Sequence, residues 1–365
     1  MLDFLPAFPR TVLAFVVVLG VLIFIHELGH YLAARWRGVH VERFSVGFGR
    51  ALYSWVDRRG CEWRIGWIPL GGYVKMHGME QPGEGEASQE PLRPEGAFHA
   101  KPLRDRAIIV AAGPIANFLL AIVLFAAILM AVGRPVVTTS VTLVAPGSAA
   151  ERAGILTGDR IVALDGTRIT RFEEVQRHIR PRAGQEVAVT LDREGRTLEL
   201  RAVPESRDGN GILGVQAGGA EFERLDPASA VWAGTLQMVD VSGQTLGALW
   251  QMITGQRGTE ELGGPLRIAE LSGQMADAGL RNLVLFIAVL SVNLALINLF
   301  PIPVLDGGHL VMYAAEAVRG KPLPPRAVEY GFRAGFALLI GLFVFATWND
   351  LAHGAVGRWL ASLAG

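Results

Sequence analysis

Cysteine and charge are the scarce components of this sequence. Cys61 is the single cysteine among 365 residues, so the chain cannot form an internal disulfide or a multi-cysteine metal site. Charged residues make up 19% of the chain, below the roughly 25% of an average globular domain. The 34 basic and 34 acidic residues cancel, which argues against nucleic-acid binding, because that function normally requires a basic excess.

Long apolar segments are abundant instead, and the mean hydropathy of the chain is +0.34. Four of them stand out, at 11–34, 107–132, 283–300 and 334–348. The second contains no charged residue in 26 positions, more than the roughly 20 needed to cross a bilayer. The sequence therefore predicts a polytopic α-helical membrane protein with about four transmembrane helices.

The region between the second and third segments has a different composition. The stretch "VAVTLDREGRTLELRAV" alternates apolar and polar residues around a Glu-Gly turn, which predicts a β-hairpin in a soluble β-rich domain. Apolar residues then recur from 228 to 256, a pattern that fits either a helix on the membrane surface or an ordinary core helix. We expect four regions: a first membrane half (1–132), the β-rich domain (133–220), a surface linker (221–280) and a second membrane half (281–365).

Lysine and arginine are unevenly distributed among the loops. Twelve lie between the first and second segments and four between the third and fourth, whereas the opposite flanks hold mainly Arg10, Arg134, Arg267 and Arg281. Because cytoplasmic loops carry the excess of basic residues, we expect loops 35–106 and 304–333 in the cytosol. The β-rich domain would then lie on the outer side of a bacterial inner membrane.

Three ionisable residues interrupt the first apolar segment. His26, Glu27 and His30 fit the pattern H-E-x-x-H, in which two histidines four positions apart share one helix face and can bind one metal ion. Neutral imidazole is a good zinc ligand, and the intervening glutamate is placed to act as general base toward a water that the metal activates. Because ionisable groups within a span are costly, such a cluster indicates a functional site.

Catalytic zinc needs a third protein ligand. The extended metzincin pattern fails because position 36 is Trp36 rather than histidine. Asp306, in "NLFPIPVLDGGH", is the best candidate, since it follows the third segment, whose end meets that of the first on the cytosolic side. His309 and Glu316 are rival ligands.

Two amides lie in or at the end of the third segment. Asn293 and Asn298 fit helix–helix hydrogen bonding, or binding of a substrate backbone or developing oxyanion. Their positions alone leave both roles open.

With these motifs, the chain resembles the site-2 proteases, the family of intramembrane zinc metalloproteases, and within it the bacterial RseP type. The similarity covers nearly the whole chain, including "FIHELGHYLAARWRGVHVERFSVGFG", "AAGPIANFLLA" and "SVNLALINLFPIPVLDGGHL". It implies Zn²⁺ as cofactor, with His26, His30 and Asp306 as ligands and Glu27 as the catalytic glutamate.

The resemblance also implies how substrate is held. Asn293 and Asn298 match asparagines of substrate handling, and Gly113 to Asn117 match a small-residue motif of the second span. The stretch "IPLGGYVKM", from Ile68 to Met76, matches a membrane-dipping β-hairpin whose edge pairs with unwound substrate, so Gly71, Gly72 and Tyr73 are expected to bind it.

The 137–217 region is similar to a PDZ domain. "GNGILGV" would supply its ligand strand and loop, formed by Gly211, Ile212, Leu213, Gly214 and Val215. The longer RseP proteins have two PDZ domains in tandem, whereas this sequence has one such unit. It is expected either to contact a substrate ectodomain or C-terminus, or to act as a steric filter.

The resemblance implies an endopeptidase that cleaves single-span membrane proteins within the lipid bilayer, after an earlier cut by another protease. Substrates of the anti-sigma factor type, and signal-peptide remnants, are the expected partners. Two alternatives are another class of membrane zinc protease, the HtpX type with a glutamate as third ligand, and a non-enzymatic PDZ receptor on a membrane anchor.

Overall fold

The computed structural model describes residues 7–79, 96–207, 209–258 and 263–353. The chain divides into two compact units: Met1–Ile128 with Ala228–Gly365, and the inserted Leu129–Pro227. We call them the membrane unit and the inserted unit and describe each by itself.

Nine α-helices occur in the described part of the chain. They are α1 (Ala7–Trp36), α2 (Leu103–Ala131), α3 (Ala149–Arg152), α4 (Phe172–Ile179), α5 (Pro227–Ile253), α6 (Pro265–Asp277), α7 (Leu280–Asn298), α8 (Asp306–Arg319) and α9 (Pro325–His353). The strands there are β1 (Val41–Val56), β2 (Glu62–Met76), β3 (Arg134–Val137), β4 (Val141–Val144), β5 (Arg160–Leu164), β6 (Thr167–Arg168), β7 (Val187–Arg193), β8 (Arg196–Ala202), β9 (Glu205–Arg207), β10 (Asn210–Ile212), β11 (Val215–Ala217) and β12 (Ala220–Glu223).

Four helices of the membrane unit are long and apolar enough to cross a bilayer: α1, α2, α7 and α9. They correspond to the four apolar segments, so the prediction of a polytopic helical protein with a β-rich insert is confirmed. The helix α7 stops at Asn298, shortly before Pro301 and Pro303, because proline lacks the N–H that continues a helix and disfavours helical geometry in the residue before it.

The strands β1 and β2 form an antiparallel sheet with several register shifts. Residues 43–46 are paired twice, so that Ser45 lies opposite Tyr73 on one side and Arg64 on the other. The stretch Ile68 to Met76, which matches a β-hairpin of the family, forms the second half of β2 and pairs antiparallel with β1. Residues 43–46 of β1 therefore lie between the two halves of β2. Such a pairing between distant residues cannot be read from the alternation of residues within Ile68 to Met76.

The inserted unit contains a four-stranded sheet in the order β6-β5-β7-β8. Val187, Val189 and Leu191 alternate with more exposed residues along β7 and pack in the core with Ile161 and Leu164. The predicted hairpin is confirmed: β7 pairs with β8 across Glu194 and Gly195, both at positive φ as a tight hairpin turn requires. The strands β3 and β12 pair with each other and bring the two ends of the unit side by side.

Candidate metal centre

Three candidate ligand atoms converge from two helices. In α1, Nε2 of His26 lies 3.2 Å from Nε2 of His30, one helical turn further on. Oδ2 of Asp306, the first residue of α8, lies 3.2 Å from the His26 nitrogen and 3.5 Å from the His30 nitrogen. A tetrahedral zinc ion with ligands at about 2.1 Å has ligand–ligand edges of about 3.4 Å, so the three atoms fit one face of its coordination shell.

The hydrogen bonding of Asp306 is also consistent with a metal ion at this position. Oδ2 of Asp306 is buried and makes no hydrogen bond, although both imidazole nitrogens are within 3.5 Å. A buried carboxylate oxygen left unpaired is costly. A cation held between this oxygen and the two imidazole nitrogens would remove that cost. Among the described residues, these three form the one group with metal-binding spacing.

The orientation of His30 is set by the neighbouring span. Its Nδ1 lies 2.9 Å from the carbonyl oxygen of Ile109 in α2 and donates a hydrogen bond to it. A neutral imidazole protonated at Nδ1 keeps the lone pair of Nε2 for a metal. The backbone of α2 therefore fixes the tautomer that a metal bound through Nε2 would require.

Small residues allow α2 to pass this close. A Cβ at Gly113 would overlap Nε2 of His30 and lie 2.9 Å from Cε1 of His26. A Cβ at Gly29, within H-E-x-x-H, would overlap the carbonyl oxygen of Ala112. The glycines thus set the distance between the first two spans at the depth of the ligands.

Asp306 is positioned by the turn that precedes it. A Cβ at Gly307 would overlap the carbonyl oxygens of Leu299 and Phe300, and one at Gly308 would overlap that of Ile302. The non-helical residues after α7 therefore pack directly on the first turn of α8. Any larger residue at these glycines would push the aspartate away from the histidines.

Glu27 and three of the five candidate substrate residues line a cavity of about 260 Å³ beside the candidate ligands. The lining includes Glu27, Gly72, Tyr73, Asn298 and His309. Gly72 of β2 adjoins the glutamate, since a Cβ there would lie 3.0 Å from Cγ of Glu27. Gly71, the residue before, adopts φ of +106° and packs against the ring of Phe48.

The rival ligands lie apart from the cluster. His309 lines the cavity one turn after Asp306, with its ring edge-to-face against Phe332 at 5.2 Å between centroids. Glu316 accepts hydrogen bonds from Leu323 N–H and from Arg106, and is therefore engaged elsewhere.

The two asparagines of α7 separate in the structure. Asn298 lines the cavity, whereas Oδ1 of Asn293 accepts a hydrogen bond of 2.9 Å from Thr245 of α5. The Asn293 contact is of the helix–helix kind. Asn117 of α2, expected only as part of a small-residue motif, lies fully buried 3.3 Å from His26. Its signal in the sequence was an amide in an otherwise apolar span.

A pair of imidazoles and a carboxylate at tetrahedral spacing, with a glutamate beside them and membrane-length helices around them, defines a zinc metalloprotease working within the membrane. The family model of peptidase family M50 matches residues 14–342 of the chain. The chain belongs to this family, the site-2 proteases.

Relatives span the chain almost from end to end. A protein of Rhizobium meliloti whose name contains the words zinc metalloprotease is 44% identical over 359 residues, covering 93% of this chain and 96% of its own. Metalloprotease MmpA of Caulobacter vibrioides is 39% identical, covering 95% and 96% of the two chains. Regulator of sigma-E protease RseP of Escherichia coli is 32% identical, covering 93% and 98%.

This protein is therefore a multi-pass membrane protein and a zinc metalloprotease that acts on membrane proteins in the bilayer. The resemblance inferred from the motifs is confirmed. Family membership also decides against the two alternatives, the HtpX type of protease and the non-enzymatic receptor.

Proposed function

We propose that the protein cleaves the transmembrane segments of single-span membrane proteins after a first cut outside the membrane, with His26, His30 and Asp306 as zinc ligands. The observation that carries the proposal is the convergence of three ligand atoms 3.2–3.5 Å apart beside Glu27. Anti-sigma factors and signal-peptide remnants are the proposed substrates.

Glu27 is the proposed general base. Bound zinc supplies Lewis acidity, which polarises the scissile carbonyl and makes water more acidic. The Glu27 carboxylate takes a proton from the attacking water and returns it to the leaving amine nitrogen. Asp306 stays a ligand, so the two carboxylates have separate roles.

The second half of β2 is the proposed substrate-binding edge. Residues 72–75 pair with β1 on one side, and no other strand among the described residues pairs with them. Gly72 and Tyr73 line the cavity beside Glu27. An extended substrate added to this edge would present its backbone to the glutamate, and strand addition would expose peptide bonds that a helix shields. Asn298 lines the same cavity and is the proposed hydrogen-bond partner of this backbone or of the developing oxyanion.

The cleavage test uses full-length protein in liposomes with a single-span substrate already trimmed by its first protease. Glu27→Gln should reduce cleavage at least a thousandfold while zinc content stays near one per chain, because glutamine cannot accept the proton. Glu329→Gln, at an exposed position of α9 paired with Arg333, is the matched control and should cleave normally. Cleavage by Glu27→Gln at the wild-type rate would exclude the role of general base.

The inserted unit is a proposed PDZ-like module. A groove of about 470 Å³ runs along it, lined by Phe172, Val175 and Ile179 on one side and by residues 211–215 on the other. Arg180 and Arg207 also line this groove and suit an acidic group such as a peptide C-terminus. Ile212 is exposed, so Ile212→Asp should abolish binding of a fluorescent substrate peptide without unfolding the unit. The unit is a steric filter instead if two results are found together: the wild type shows no detectable peptide binding, and Ile212→Asp cleaves an untrimmed substrate faster than the wild type does.

The proposed orientation places the inserted unit outside the inner membrane and loops 35–106 and 304–333 in the cytosol. Cysteines introduced on the Cys61→Ser background at exposed Glu199 and exposed Lys321 provide the test. An impermeant maleimide applied to intact spheroplasts should label the first and spare the second. The reverse pattern would invert the topology.

A further inference from the structure

Asn117 is a buried polar residue that the proposed catalytic chemistry does not use. Its side chain is fully buried in α2, and Nδ2 is placed 3.3 Å from Nδ1 of His26. The other amide atom, Oδ1, has no hydrogen-bond partner in the described part of the chain. A buried amide next to a candidate metal ligand calls for a reason, since half-satisfied amides are costly.

The contact restricts the chemistry of His26. If the amide nitrogen donates to Nδ1, that imidazole must carry its proton on Nε2, the atom that faces His30 and Asp306. A protonated Nε2 cannot bind a metal. If the amide is rotated by 180°, its oxygen accepts from Nδ1–H, and Nε2 keeps its lone pair.

The two ends of an amide are nearly equal in size, and the choice between them is made by hydrogen bonding. Only the rotated form is compatible with a metal bound through Nε2. His30 already has the equivalent arrangement, because its Nδ1 donates to the carbonyl oxygen of Ile109. In both histidines Nδ1–H would then donate to an oxygen atom of α2.

Asn117 is itself held in place by the third span. The hydroxyl of Ser291 in α7 is fully buried and donates a 2.8 Å hydrogen bond to the backbone oxygen of Asn117. A chain of contacts therefore runs from α7 through α2 to the ligand in α1. Outer partners of ligating histidines commonly affect metal affinity ten- to a hundredfold.

We propose that Asn117 is a positioning residue for the metal, whose amide oxygen accepts the Nδ1–H of His26 and so fixes the tautomer that binds through Nε2. The inference rests on the proposed ligand set. It makes Asn117 part of the metal centre without contact to the ion or to substrate.

The test measures the zinc dissociation constant of the full-length protein in detergent micelles by competition with a chromophoric chelator. Asn117→Leu, which has no acceptor, should weaken zinc about 10- to 100-fold and alter the visible spectrum of the Co²⁺ form. Asn117→Asp keeps an oxygen acceptor and should stay within about threefold of the wild type. Ser272→Ala, which removes a buried hydroxyl that donates to the backbone oxygen of Ile268 in α6, is the matched control and should bind zinc normally.

Two further measurements keep the outcomes distinct. His26→Ala tests the ligand set, so unchanged zinc affinity in that variant would contradict the proposed function. Normal zinc affinity in folded Asn117→Leu, together with loss in His26→Ala, would overturn the Asn117 inference alone. If Asn117→Leu fails to fold, nitrogen-15 spectra of histidine-labelled wild type test the Asn117 inference instead. A zinc-bound His26 without a proton on Nδ1 would overturn that inference.

Discussion

Gly113 faces both candidate histidine ligands, and a Cβ at this position would overlap Nε2 of His30. Gly113→Ala should therefore displace an imidazole and lower zinc affinity by about 10- to 100-fold, with a matching loss of cleavage. Gly20→Ala in α1 is the control, since a Cβ there would meet no atom within 4 Å. Competition with a chelator measures both affinities, and equal values would show that the close approach of α2 is not needed for metal binding.

Cys61 is fully buried between β1 and β2, and burial raises the pKa of its thiol to about 11. Thiolate is the form that reacts with alkylating agents. At pH 8 the rise of the thiol pKa from 9.0 to about 11 should by itself slow alkylation about a hundredfold relative to the unfolded protein. Because the folded-state pKa is raised above the ordinary value of 9.0, the stabilising contribution of the neutral thiol persists below pH 9 and is lost as the pH rises through 11.

Iodoacetamide labelling followed by mass spectrometry gives the rate of this reaction directly, because the chain has no second cysteine. Protein in denaturant supplies the reference rate, and Cys61→Ala should take up no label. Equal rates in folded and unfolded protein at pH 8 would contradict the raised pKa.

At the scale of elements, Asp350 joins α9 to the start of α6. Its carboxylate accepts hydrogen bonds from the backbone N–H groups of Gly264, Leu266 and Arg267, at 2.8, 3.1 and 3.1 Å. Gly264 is the residue before α6, and Leu266 and Arg267 lie in its first turn, where N–H groups have no partner within the helix. A side chain from the last turns of α9 thus caps another helix.

Asp350→Ala should lower the free energy of unfolding by about 1–2 kcal/mol, the usual effect of losing a helix cap. Asp350→Asn keeps one acceptor oxygen and should fall between Ala and wild type. Thermal unfolding in detergent, followed by tryptophan fluorescence, measures the order of the three proteins. Identical midpoints would mean that α6 does not depend on this cap.

At the scale of the whole molecule, the candidate metal centre connects distant parts of the sequence. His26 and His30 lie near the N-terminus, whereas Asp306 begins α8. A ligand that binds only the folded state stabilises it, by about 4 kcal/mol when its concentration is a thousand times its dissociation constant. Removing zinc with a chelator should therefore lower the unfolding midpoint, and added zinc should restore it.

Hydrogen exchange locates the effect of metal removal. Exchange should increase at 26–30 and 299–309, which hold the proposed ligands and the turn before Asp306. The core strand β7 belongs to the other compact unit and should keep its protection. An equal increase in both regions would show that the metal stabilises the chain as a whole rather than the membrane unit.

Much of the fold was predictable because the signals are local. Runs of uncharged residues predicted the four long helices, and alternation around Glu194 and Gly195 predicted the hairpin of β7 and β8. The register of Ile68 to Met76 was not predictable, because this half of β2 pairs with β1 residues about 30 positions earlier in the sequence, and such pairings leave no short-range periodicity.

The sequence by itself determined which chemistry is possible. His26, Glu27 and His30 occur within five positions, so helical geometry alone places both imidazoles on one face. The position of Asp306 just after the third apolar segment made it the best candidate for a third ligand. The tertiary structure alone decided the distances: how close Gly29 and Gly113 bring α2, that the Asp306 oxygen meets both histidines while Glu316 pairs with Arg106, and that Asn117 lies against His26. These facts depend on side chains from different helices packing at one depth, and contacts between remote segments are set by the packing of the whole molecule rather than by any single stretch of chain.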